Sequence, residues 1–86
     1  MTDAEILIHV KKGLGIVGTY QDDTLNEYIA TVKAFMLSAG VPAEVAVSSA
    51  AVGAITRGTV DLWDYGNGGG KLSETFRMML IQLAKG

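Results

Sequence analysis

The chain has 86 residues, of which 49% are apolar and 19% charged, with nine acids against seven bases, a net charge of −2 and no cysteine. That balance lacks the basic footprint of an autonomous nucleic-acid binder, and the missing cysteines exclude disulfides and thiolate metal sites and are compatible with a reducing compartment. No apolar run approaches the ~18–20 residues of a membrane span, and the length suits one small domain over residues 1–86.

In chain order, "MTDAEILIHVKK" places acids before its short apolar part and lysines after it, the reverse of a signal peptide. It predicts a helix from about Asp3 to Lys12. Thr2 and Glu5 fit a capping box, and Ile6, Leu7 and Val10 form an apolar stripe that Leu14 extends. Lys11 and Lys12 suit the negative end of the helix, and Gly13 and Gly15 are read as its stop. The next helix is predicted over about Thr24 to Ala39. Leu25, Tyr28, Ile29, Val32, Phe35, Met36 and Ala39 recur on one face of a 3.6-residue period. Asp22 and Asp23 precede it, Thr24 and Glu27 offer a second capping box, and Gly40 with Pro42 marks its end.

Residues 42–47 read as a separate helical turn or the start of the third long helix, which runs from Ser48 or Ser49 to about Tyr65. Val52, Ile55, Thr59, Leu62 and Trp63 share one face of it. Gly53 and Gly58 each cost such a helix up to ~1 kcal/mol, so their presence predicts close approach by another backbone. Arg57 and Asp61, four apart, are read as a surface pair. Ser73 is a good N-cap for a last helix reaching about Lys85, with Phe76, Met79, Leu80 and Leu83 on its apolar face. Strand alternation is weak throughout. The expected fold is all-α: a compact bundle of four to five short helices with a glycine-rich loop before the last.

The stretch "DLWDYGNGGGKLS" raises the question of a phosphate site. A phosphate loop, G-x-x-x-x-G-K-[ST], follows a buried strand. Here Gly70-Lys71 is followed by Leu72, the position five before Gly70 is Tyr65, and the preceding segment is helical in period. The dinucleotide pattern fails as well, because Lys71 stands where the third glycine belongs. The glycines are read instead as a conformable connection between helices. His9, the one histidine, falls off the apolar stripe and has no visible partner for catalysis. Asp22 and Asp23 read as helix-end carboxylates, and Asp61 with Asp64 lacks the further ligands a metal needs. No catalytic residue, cofactor or metal site is expected. Trp63, Tyr65 and Phe76 bracket the loop, and two readings of them stay open: core packing between the last two helices, or a protein-binding anchor.

Two blocks carry a resemblance. The first is "VKKGLGIVGTYQDDTLNEYIATVKAFMLSAGV". The second is "AVGAITRGTVDLWDYGNGGGKLSETFRMMLIQLA", which contains G-x-x-x-R-G-x-x-D-L-W-x-Y-G from Gly53 to Gly66 and then L-S-x-x-F from Leu72 to Phe76. Over about residues 6–84 the chain resembles the small head–tail connector, or neck adaptor, family of tailed bacteriophages. The second block is the more specific of the two.

The resemblance implies a compact helical subunit that assembles as a ring, commonly of about a dozen copies, beneath the portal protein. The ring extends the channel for double-stranded DNA, which passes without sequence-specific binding, and it seats the tail or a stopper protein. The implied location is the virion neck, assembled in the bacterial cytoplasm. The role is structural and non-catalytic, with no membrane partner. By position in the matching block, Arg57, Asp61, Trp63, Tyr65, Gly66, Gly68, Gly69 and Gly70 are the candidate assembly contacts. Many members are longer, so a docking tail after the last helix is expected to be missing here. Composition agrees with assembly: a chain this small buries only roughly 60–65% of its unfolded surface, and its charged fraction lies below the usual ~25%. Subunit contacts would cover the remaining apolar surface. The runner-up is a small helical regulator that binds DNA or another protein. A DNA reader needs a basic recognition helix, whereas the last two helices offer only Arg57, Arg77 and Lys85.

Overall fold

A computed structural model describes residues 2–65 and 72–85 of the chain. Its helices are α1 (Asp3–Leu14), α2 (Asp22–Ser38), a single turn α3 (Ala43–Ala46), α4 (Val52–Tyr65), entered through a 3₁₀ turn at Ser49–Ala51, and α5 (Glu74–Lys85). No strand occurs among the described residues, and the fold is an all-α bundle. The Cα radius of gyration is 12.1 Å.

The capping box at α1 forms as expected. The Thr2 hydroxyl accepts from the Glu5 N–H at 3.2 Å, and the Thr2 N–H donates to the Glu5 carboxylate at 2.9 Å. The Thr2 amide, then its hydroxyl, hold the Glu5 carboxyl below its ordinary range. The other end differs from expectation. Helix α1 continues through Gly13 to Leu14, and Gly15 alone makes the left-handed cap, with φ of 72°. Gly13 is a packing residue. A β-carbon placed there would lie 2.6 Å from Cγ2 of Thr56 on α4.

Helix α2 also starts earlier than its capping signals suggest. It begins at Asp22, its cap residue is Gln21 with no side-chain cap bond, and the Thr24–Glu27 box does not form. Lys11 supplies the reason. Its ammonium reaches across from α1 to Asp22 Oδ1 at 2.7 Å and also donates to the Gly18 carbonyl. The chain is thereby turned into helix two residues before Thr24. Asp22 and Asp23 sit inside the first turn, where carboxylates complement the helix dipole. The far end follows expectation: Gly40 takes φ of 98°, and Val41 N–H bonds back to the Met36 carbonyl at 3.0 Å. Ala39, counted on the apolar stripe, is exposed.

Helix α4 is the central element and packs against α1, α2 and α5. Ala51, Ala54, Ile55, Gly58, Thr59 and Asp61 are all buried along this segment, so burial extends beyond the Val52–Trp63 stripe. Its small residues let three helices approach it. The approach at Gly58 is by side chains and not by another backbone: a β-carbon there would lie 2.8 Å from the Phe76 ring and 2.9 Å from Val32 Cγ1. Gly53 is not crowded, its nearest neighbour being Met79 Cε at 3.5 Å. Residues from every long helix meet in the core, among them Ile6, Val10, Leu25, Val32, Met36, Ile55, Phe76 and Leu80.

Candidate functional site

The motif residues of the second block meet one another in space. Asp61 is 7% exposed, and its carboxylate holds two elements at once. Oδ1 accepts from Arg57 Nη2 at 2.6 Å and Nε at 3.1 Å, while Oδ2 accepts the Ser73 backbone N–H at 2.8 Å. The Arg57–Asp61 pair, read from its spacing as a surface pair, is therefore an internal strut, with only the arginine reaching solvent. Burial by itself would raise the Asp61 carboxyl. The Ser73 N–H and the Arg57 guanidinium outweigh it and leave the group below its ordinary value. Ser73 in turn caps α5, its hydroxyl accepting from Phe76 N–H at 3.2 Å. Phe76 then lies fully buried over Gly58 and against Phe35, ring centroids 5.9 Å apart.

Arg57, Gly58, Asp61, Ser73 and Phe76 thus form one joint that fastens the start of α5 to the middle of α4. This gives the second block physical content: it is largely a packing signature of the subunit. Trp63 is half-buried and meets Tyr28 of α2 edge-to-face, at 6.2 Å and 84°. Of the two open readings, Phe76 takes the core one and Trp63 packs within the subunit while remaining partly accessible. The Tyr65 side chain and Gly66, Gly68, Gly69 and Gly70 lie outside the described residues. His9 is exposed on α1. Among the described residues, no three histidine or acidic side chains gather as a metal site, and no helix is long and apolar enough to cross a membrane.

The exposed surface carries apolar residues that the periodicity did not single out. The loop between α1 and α2 displays Val17 at 93% and Tyr20 at 96% exposure. It is a tightly held loop: Gly15 and Gly18 take φ of 72° and 84°, and Lys11 ties the Gly18 carbonyl to Asp22. Helix α5 leaves Met78 and Ile81 exposed. Beside them, an open groove of about 650 Å³ runs between the end of α2 and α5, with Phe35, Ala39, Leu80 and Ile81 among its lining and exposed Glu74 and Arg77 on its walls. Among the lysines and arginines whose side chains are described, Lys11, Lys33 and Arg57 are paired with carboxylates, which leaves Lys12 and Arg77. The signal for the loop lay in "GIVGTY", where Ile16 and Val17 sit between glycines outside any helical period; Ile16 packs against the core and Val17 is left outside.

An all-α bundle with an α4–α5 joint held by Asp61 and with exposed apolar side chains on several elements is what fold and site define. No family model, curated protein or solved structure matches the chain.

Proposed function

We propose that the protein is a structural subunit of a phage neck: a ring beneath the portal protein that extends the DNA channel and seats the tail or a stopper protein. The observation that carries the reading is the second motif block, from Gly53 to Phe76, whose residue pattern resembles the neck adaptor family. Two features of the subunit support it. Large apolar side chains stand exposed on several parts of a small body, Val17 and Tyr20 in the loop and Met78 and Ile81 on α5 among them, as subunits that complete their burial in an assembly require. The described cations are few and mostly neutralised by carboxylates, which suits a wall past which DNA slides without being gripped. Chemistry plays no part in this role.

The test is reconstitution. Reading frames for a portal and a major capsid protein are expected beside this one. Mixing the purified chain with that portal should add a ring of density below the portal in electron micrographs. A chain that stays strictly monomeric and leaves the portal unchanged would refute the reading.

A further inference from the structure

We infer that copies of this chain join head to tail, the α1–α2 loop of one copy seating Val17 and Tyr20 in the α2–α5 groove of the next. The inference rests on the ring reading and names its contact.

The two surfaces belong to different ends of the molecule. The loop lies at the start of α2 and the groove at its end. From Asp22 at the loop to Phe35 in the groove is thirteen helical residues, which at 1.5 Å each separate the two by about 20 Å. No copy can place its own loop in its own groove, and a contact made one way round between two different surfaces is heterologous, the type that closes rings. The shapes and polarities match. The loop offers an apolar and an aromatic side chain, both almost wholly in water, on backbone already held by two positive-φ glycines and the Lys11 tie. A pre-ordered loop loses little entropy on docking. The groove offers Phe35, Ala39, Leu80 and Ile81 to the tyrosine ring, and Glu74 and Arg77 to its hydroxyl.

The charges match in sign as well. Exposed Lys12 and Asp23 flank the loop, one cation and one anion, and neither is ion-paired among the described residues. Exposed Glu74 and Arg77 present the opposite pair on the groove. Charge pairs of this kind set register and suppress wrong partners more than they add affinity.

The area predicts a weak pairwise contact. A buried aromatic side chain covers about 150–250 Å², so Tyr20 with Val17 falls well short of the ~800 Å² per partner of a standard interface. Isolated copies should therefore associate only at high concentration, and a closed ring, where each copy makes the contact twice, gains from effective concentration.

Sedimentation velocity on the full chain from micromolar to millimolar concentration tests this. Wild type should self-associate toward the millimolar end. Tyr20→Asp and Ile81→Asp each remove one half of the contact at an exposed position, and each should weaken association about tenfold or more with helical content and Tm unchanged. Val17→Ser should act in the same direction as Tyr20→Asp. Mixing Tyr20→Asp with Ile81→Asp should then restore one-to-one pairs and nothing larger, because the first keeps an intact groove and the second an intact loop. If Tyr20→Asp associates like wild type while Ile81→Asp does not, groove meets groove and the inference falls, although the ring reading stands. A wild type monomeric at millimolar concentration, or a mixture that forms no pairs, also overturns the contact. The portal reconstitution decides the ring separately.

Discussion

Gly58→Ala and Gly53→Ala make the same chemical change on one helix, and the structure assigns them opposite signs. Exchanging glycine for alanine in a helix interior gains up to about 1 kcal/mol of propensity. At Gly53 nothing opposes that gain, since the nearest atom to an added β-carbon is Met79 Cε at 3.5 Å, an ordinary contact at an exposed position. The site is in the first turn of α4, so a stabilisation of about 0.5 kcal/mol is expected. At Gly58 the added carbon would lie 2.8 Å from Phe76 Cε1, 3.1 Å from Phe76 Cδ1 and 2.9 Å from Val32 Cγ1. Optimal carbon separations are about 3.5–4.0 Å. Phe76 and Val32 are both fully buried and have little room to retreat. Overpacking of this kind costs about 1–3 kcal/mol, and the middle of that range less a propensity gain of up to about 1 kcal/mol leaves a net loss of about 1 kcal/mol. In a domain of this size 1 kcal/mol moves Tm by about 4–8 °C. Thermal unfolding followed by circular dichroism should place Gly58→Ala several degrees or more below wild type and Gly53→Ala slightly above it. A Gly58→Ala protein as stable as wild type would refute the close packing of α4 beneath α5.

Asp61→Asn keeps the shape of the strut but gives up its charge, and should cost about 2 kcal/mol in urea unfolding at neutral pH, because hydrogen bonds to a buried charge are the strong ones. The Asp61 carboxyl titrates below its ordinary 3.8 in the folded state. Its contribution is therefore complete above that value and is lost as pH falls through the lower folded value. Wild type should lose its advantage over Asp61→Asn on acidification below about pH 4, and an advantage unchanged at pH 2–3 would contradict the strut. Thr59 is fully buried, and among the described residues its hydroxyl has no hydrogen-bond partner. Thr59→Val, close in shape, should stabilise by about 1 kcal/mol in the same assay, and a loss of stability would show that the hydroxyl is satisfied.

Much of the architecture was legible because local signals agreed with one another. The Thr2–Glu5 box, the α2 stripe from Leu25 to Met36, the Gly40 cap and the Ser73 cap each depend on residues within a few positions, and each stands where the pattern put it. The misreadings have a common cause, which is contact across sequence distance. Asp61 resembled any exposed i,i+4 partner of Arg57, and only the Ser73 amide twelve residues on draws it inside. Gly13 looked like a stop signal until Thr56 of another helix explained it as a space. Lys11, eleven residues before Asp22, overrode the Thr24–Glu27 box. The buried run of α4 was under-read because alanine and glycine carry little weight in a hydrophobic period yet occupy the tightest positions. As for the candidate contacts, Arg57, Asp61 and Trp63 prove to have partners inside the subunit, while the exposed pair Val17 and Tyr20 had no periodic signature at all.

The bond from Asp61 to the Ser73 amide also separates geometry from connectivity. Because α4 grips Ser73, the cap residue of the last helix, directly, that clasp and Phe76 hold the seat of α5. Lengthening a connecting path carries only a logarithmic entropic penalty, about 0.6 kcal/mol per doubling. Changes in the length of the chain between the two helices should therefore cost little stability as long as Asp61, Ser73 and Phe76 are kept.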